Sequence, residues 1–200
     1  MREQAGKAGI VGAMSHNFAD SLAFSHEADE YPFWKETYEK AFPDMIEMCN
    51  HRQDGEHQRA GIDRSVILAN SKQILIDEKV RGRNKKTGKV YDDIALEYWS
   101  DIARKIPGWV CKPLRCDYIA YAIAPLGKCY LLPVIQLQSA WKMHGENWIA
   151  EPRYFEIKAD NSYNGNHWTT VSIGVPVSTV FKAIGSCLRI SFTPMEVDNA

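Results

Sequence analysis

Between Gly61 and Arg81 the chain reads GIDRSVILANSKQILIDEKVR, two apolar runs separated by the polar turn Asn70-Ser71-Lys72. Asp63 lies on the first run. Asp77, Glu78 and Lys79 follow one another on the second, with Asp77 fourteen positions after Asp63. Side chains alternate across a strand. Leu75, Asp77, Lys79 and Arg81 therefore share one face, and Ile74, Ile76, Glu78 and Val80 share the other. If the two runs pair, Asp63 reaches Asp77 and Lys79 from the neighbouring strand, and Glu97 in IALEYWS extends the cluster. Two adjacent carboxylates raise one another's pKa unless a cation joins them. Hard oxygen ligands favour Mg2+ or Mn2+ in that role. Such an ion polarises a phosphoryl oxygen and lowers the pKa of attacking water, while a lysine beside that water orients it and stabilises developing negative charge. The parts suit hydrolysis of a phosphodiester. The plain alternative is an exposed ion pair between Asp77 and Lys79 on an edge strand, worth under about 1 kcal/mol.

Positioning these groups takes a hairpin near 62–69 and 73–81 and elements to brace it. Residues 15–50 read as helical: Ser15 caps a segment with Phe18, Leu22 and Phe24, FWKETYEKAF spaces its aromatics at helical intervals, and PDMIEMC opens a further turn. NHRQDGEHQRA reads as a loop around Gly55. After the hairpin, DIALEYWS is a third strand, DIARKIPGWV a short helix or turn broken at Pro107-Gly108, and DYIAYAIAP a fourth strand. CYLLPV leads into an amphipathic helix, PVIQLQSAWKMHG, expected to stop at Gly145. RYFEIK, a polar loop ADNSYNGN, the strand HWTTVSIG, a helix VPVSTVFKAIGSC and a short strand LRISF complete the chain. Helices first, then strands, then a helix and a strand–helix pair imply an α/β or α+β layer in one domain over 1–200, with 1–14 as a flexible tail.

The aspartate on one strand and the acidic-x-lysine triplet on the next resemble the PD-(D/E)XK nuclease superfamily. Ile62 stands where the pattern has proline. The resemblance covers roughly residues 30–145, and the later blocks, such as HWTTVSIGVPVSTVF, also look like phage and bacterial members. It implies a restriction-endonuclease-like core, a central mixed four- to five-stranded sheet flanked by helices. It implies metal ligation by Asp63 and Asp77 with help from the backbone carbonyl of Glu78, and Lys79 as the catalytic lysine. Some members add an acid from the preceding helix, for which Glu36 and Glu39 are the candidates. Several place a glutamine of the helix after the sheet at the site, here Gln138 ahead of Gln136. The implied activity is DNA hydrolysis with Mg2+ or Mn2+, leaving a 5′-phosphate. The rival is a nucleic-acid-binding or assembly protein that keeps the fold with a silent site. A homodimer is left open.

A formal net charge of −1 removes any global electrostatic case for nucleic-acid binding, so a basic footprint must be local. RGRNKKTGKV supplies one: Arg81, Arg83, Lys85 and Lys86 follow the acid triplet, placed either to hold a phosphate backbone or to solvate a hairpin tip. Trp99, Trp109, Trp141, Trp148 and Trp168 are first of all core residues, with stacking on bases as the alternative. No run of twenty apolar residues is present, so no membrane-spanning helix is expected. The five cysteines, odd in number and irregularly spaced, read as reduced thiols of a cytoplasmic protein. Cys49, His51 and His57 lack a fourth ligand at zinc spacing. There is no phosphate-binding glycine loop.

Overall fold

A computed structural model describes residues 14–17, 31–84, 87–163 and 165–197. In chain order these form β1 (Met14–Asn17), α1 (Phe33–Ala41), β2 (Met45–Asn50), α2 (Gly55–Ala60), β3 (Arg64–Leu68) and β4 (Gln73–Arg81). Then come β5 (Asp93–Asp101), β6 (Ile106–Pro107), β7 (Tyr118–Ile123), a 3-10 turn (Ala124–Leu126), β8 (Lys128–Pro133) and α3 (Val134–Ala150). β9 (Phe155–Tyr163), β10 (Asn166–Pro176), α4 (Val177–Ile184) and β11 (Leu188–Ser191) close the chain.

The expected hairpin forms. β3 and β4 pair antiparallel, with Arg64 opposite Ile76 and Ile67 opposite Gln73. Its turn is held by the Asn70 side chain, whose Oδ1 accepts from the Lys72 N–H at 3.0 Å, while Ser71 takes a left-handed φ of 64°. The hairpin lies inside a mixed six-stranded sheet ordered β11-β8-β7-β4-β3-β2. β4 runs parallel to β7, and the other neighbours are antiparallel. A second sheet, ordered β1-β9-β10-β5-β6, takes the strand DIALEYWS away from the first. The expectation of one central sheet of four to five strands therefore gives way to a six-stranded sheet with a second sheet of five. Its cause is the parallel step from β4 to β7: a parallel connection needs a crossover, and here β5 and β6 supply part of it from the second sheet.

Alternation along β4 and β7 divides the core into two layers. Ile76, Ala120 and Ala122 face α1, whose Phe33, Trp34 and Tyr38 are buried, together with Phe192 stacked on Phe33 at 4.4 Å. Ile119, Tyr121 and Ile123 face the other way, onto Ile94, Leu96, Ile173 and Val175 of the second sheet and Leu137, Ala140 and Trp148 of α3. Burying aliphatic and aromatic groups on both faces is what lets these strands read as nearly continuous apolar runs.

Several local expectations differ from the outcome. Met45–Asn50 is an edge strand, not a helical turn, because antiparallel pairing with β3 captures a short apolar run whose periodicity does not decide between the two. The loop after it contains α2, started by Asp54 accepting from the Glu56 N–H at 2.8 Å and ended by Gly61 at φ 70°. Helix α3 does not stop at Gly145 but continues to Ala150. There the glycine serves packing, since a Cβ would lie 2.9 Å from the Trp141 ring. The polar stretch 159–163 stays in β9, paired with β1 on one side and β10 on the other. Ser15 belongs to β1 rather than capping a helix, and Phe18, Leu22 and Phe24 lie outside the described residues. The same is true of the tail expected at 1–14, apart from Met14.

Candidate active site

Asp63 sits in the short link between α2 and β3, where the chain must turn from helix to strand. Its position is fixed from three directions. Its N–H donates to the Ile76 carbonyl at 2.9 Å, its own carbonyl accepts from the His51 N–H at 2.8 Å, and its Oδ2 accepts from the Glu78 N–H at 2.8 Å. The last bond replaces the ladder bond that β3 no longer provides beyond Arg64. Backbone N–H and C=O of one strand residue point to the same side, so the Glu78 carbonyl faces the same edge as Asp63.

Asp77 and Lys79 project from β4 on the face opposite α1. The Lys79 ammonium contacts Asp77 Oδ1, and the Asp77 and Asp63 carboxyls lie within hydrogen-bonding reach of one another. Asp63, Asp77 and Lys79 thus converge, as the strand alternation predicts. Burial pushes the Asp77 carboxyl up to about 7, against the pull of Lys79 and with Asp63 adding to the rise. For Asp63 burial acts in the same sense but is outweighed by Lys79 and Arg52, leaving its carboxyl below the usual range. Burial also opposes the Lys79 charge, but Asp77 and Asp63 overcome it and hold the ammonium above its ordinary pKa. Of the two acids, Asp77 is the one that keeps its proton to higher pH. Asp77 is almost closed off, with 6% of its side chain exposed, while Lys79 keeps 33%. The lysine is the most exposed of the three, with Asp63 between the two at 18%.

Glu78 faces the other way and does a different job. Its carboxylate, fully buried, accepts from Arg64 Nε at 2.6 Å, Tyr38 hydroxyl at 2.8 Å and Arg52 Nη2 at 3.2 Å. Arg52 Nη2 also stands 3.7 Å from Asp63 Oδ2. A buried carboxylate is tolerated only when paired and hydrogen-bonded, and here that requirement ties α1, the β2–α2 turn, β3 and β4 together behind the acid pair. Sequence reasoning missed Arg52, Arg64 and Tyr38. The signal for Arg64 was present, since it opposes Ile76 and so shares the Glu78 face. Arg52 lies in a turn and carried no such signal.

Other expected site residues lie elsewhere. Glu36 pairs with Lys40 at 2.7 Å and Glu39 with Lys35 at 3.8 Å, both exposed on α1, which covers the sheet face opposite Asp77. Glu97 is on the second sheet and accepts from the Ser100 hydroxyl at 2.7 Å. Gln138 donates to the Lys112 carbonyl at 2.7 Å and lines a cleft beside α3 rather than touching the acids, and Gln136 is exposed. Arg81 turns inward to Asp93 at 2.8 Å, under Tyr91. Arg83 clamps Glu196 through two bonds of 3.0 and 2.8 Å. These two arginines join parts of the fold instead of forming a basic tip, and Lys85 and Lys86 lie outside the described residues. All five cysteines are free thiols. His51 bonds the Ser65 hydroxyl at 2.8 Å and stacks on His57, which pairs with Asp54.

Among the described residues, no group of three or more histidine, cysteine, aspartate or glutamate side chains gathers to hold a metal ion. Mg2+ does not need one: it commonly binds through one or two carboxylates and keeps waters or substrate phosphates in its remaining positions. The donor set of Asp63, Asp77 and the Glu78 carbonyl edge fits that habit. A buried acid whose charge is resisted by its surroundings is also a group that a cation would relieve. Comparison with family models, with curated proteins and with solved structures finds no match for this chain.

Proposed function

We propose that this protein is a metal-dependent nuclease of the PD-(D/E)XK kind, hydrolysing DNA phosphodiester bonds at the Asp63–Asp77–Lys79 site, with a restriction-endonuclease-like core formed around β2, β3, β4 and β7. The observation that carries the reading is the convergence of two aspartates and one lysine at a single sheet edge, with Asp77 held near neutrality. When bound, Mg2+ or Mn2+ would supply charge neutralisation and a more acidic water. Asp63 and Asp77 would hold the ion. The Glu78 N–H keeps the Asp63 carboxylate aimed at the site, and Arg52 restrains it from behind. With such an ion on the two carboxylates, Lys79 would be free to orient the attacking water and to donate a hydrogen bond to the phosphoryl oxygen as negative charge grows there. The buried Glu78 cluster ties β4 to α1, β3 and the β2–α2 turn behind these groups.

Two features favour the rival, a nucleic-acid-binding or assembly protein with a silent site: Lys79 is already paired with Asp77, and the candidate third acids, Glu36 and Glu39, lie on α1 over the other face. A cleavage assay decides between them. Duplex, single-stranded and branched DNA are incubated with Mg2+, Mn2+ or EDTA. Metal-dependent cleavage lost in Asp77→Asn supports the nuclease. Binding without cleavage under either metal supports the rival.

A further inference from the structure

A cleft of about 570 Å³ opens between α3 and the β5–β6 edge of the second sheet. Three aromatic rings form part of its wall, beside Pro107, Val110, Pro113 and Ile149. The Tyr98 and Trp141 rings lie 5.9 Å apart and 25° from parallel, and Trp99 borders Tyr98. Gly145 gives Trp141 room to lie flat along α3. Polar groups sit among these rings rather than at random: Gln138, whose amide is oriented by the Lys112 carbonyl, Lys142 and Glu146. One cation and one anion leave the cleft without net charge, which argues against a phosphate or a carboxylate as its guest. A neutral, planar heterocycle with edge donors and acceptors fits both the walls and the polar groups, and the volume falls in the range of small-ligand sites.

The cleft is joined to the acid pair by one stretch of chain. Cys111 and Pro113 line the cleft, and Cys116, five residues beyond Cys111, is buried beside Asp77 and Lys79. Five residues span at most about 18 Å, the length of roughly five nucleotides at about 3.4 Å each along a strand. Lys112 and Arg115 are exposed on this stretch, where they could contact phosphates between the two points.

We infer that the Tyr98–Trp99–Trp141 cleft binds an unpaired nucleobase of the substrate strand, a few nucleotides from the bond cut at Asp63 and Asp77. The inference rests on the nuclease reading for its substrate. A base stacked on these rings must have left a duplex, so the protein selects single-stranded, frayed or branched DNA over flush duplex. Stacking on aromatic side chains accepts any base, while Gln138 and Glu146 provide whatever preference exists between bases.

The test measures binding of the full chain in EDTA to a short fluorescent thymidine oligonucleotide and to the same backbone carrying abasic sites. The expected result is quenching of tryptophan emission by the base-bearing strand only, with about five- to a hundredfold weaker binding of the abasic strand. Trp141→Ala and, as a milder change on the helix surface, Gln138→Ala should shrink that ratio, and circular dichroism checks that each variant folds. Because the abasic comparison leaves the protein unchanged, it stands even if Trp141→Ala fails to fold. Equal affinity for the two strands, or no binding of either, overturns the inference. Base-dependent binding in a protein that never cleaves with Mg2+ or Mn2+ upholds the cleft and removes the nuclease. Cleavage with base-indifferent binding does the reverse.

Discussion

At the scale of single residues, Asp77 and Lys79 carry separable consequences. On the proposed nuclease reading Lys79 acts on the water and the transition state, so Lys79→Ala should lower the single-turnover cleavage rate by about a hundredfold or more. DNA affinity should stay nearly unchanged. A variant that lost affinity and rate together would make Lys79 a binding residue. Asp77 governs pH dependence. Its ordinary value is 3.8 and its folded value is about 7. Between those limits the native protein holds a proton that the unfolded chain has lost. Without metal, its contribution to stability is therefore present at low pH and falls as pH rises through that window. Metal must displace this proton. Calorimetry should show Mg2+ or Mn2+ affinity rising with pH up to about 7 and levelling above it. Asp77→Asn should abolish the binding. Flat affinity between pH 5 and pH 8 would place the metal elsewhere. Asp63 has the opposite shift: its stabilising charge is retained above its ordinary value and is lost as pH falls below it.

At the scale of elements, β4 separates chemistry from support by simple alternation. Asp77 and Lys79 face the second sheet, and Glu78 faces α1. Glu78→Ala leaves Arg64 and Arg52 buried without their shared carboxylate, and should destabilise the fold by about 3–5 kcal/mol in urea titration. Glu78→Gln should cost less, since Tyr38 and one arginine keep an acceptor. The hairpin was legible because its two runs are close in sequence, and strand periodicity assigns Asp77, Glu78 and Lys79 their faces; Asp63, expected on the first strand, lies just before β3 and is placed by its hydrogen bonds to Ile76, His51 and Glu78. The Arg52 tether was not, because nothing local in a turn says which distant carboxylate its side chain reaches. Nor was the fate of Gln138, Arg81 and Glu36. Gln138 and Arg81 find partners far off in the chain, Lys112 and Asp93, while Glu36 pairs with Lys40 on its own helix, which lies over the sheet face away from Asp77. The extension of α3 past Gly145 was hidden for a related reason, as a glycine that accommodates Trp141 looks in sequence like a helix stop.

At the scale of the whole molecule, two sheets share one apolar layer, and the acid pair and the aromatic cleft lie on the same side of the six-stranded sheet. A ligand that binds only the folded form raises its melting temperature. Mg2+ should do so for the wild-type chain and not for Asp77→Asn, and equal shifts in both would count against a site at Asp77. Gly108→Ala tests the junction of the second sheet: a Cβ there would lie 2.3 Å from the Glu97 carbonyl oxygen, backbone against backbone. It should lower the melting temperature and alter emission from the cleft tryptophans. In the order of synthesis the two halves of the site differ. Tyr38, Arg52, Asp63, Arg64, Asp77 and Glu78 all precede residue 80, and the hairpin that joins the acids closes a short loop. The cleft depends on α3, and its wall β5 pairs with β10, Trp99 meeting Val171. Long-range strand pairing comes slowly because the loop it closes is costly. A chain emerging from the ribosome can therefore bring Asp63 and Asp77 together well before β5, α3 and β10 close the aromatic cleft.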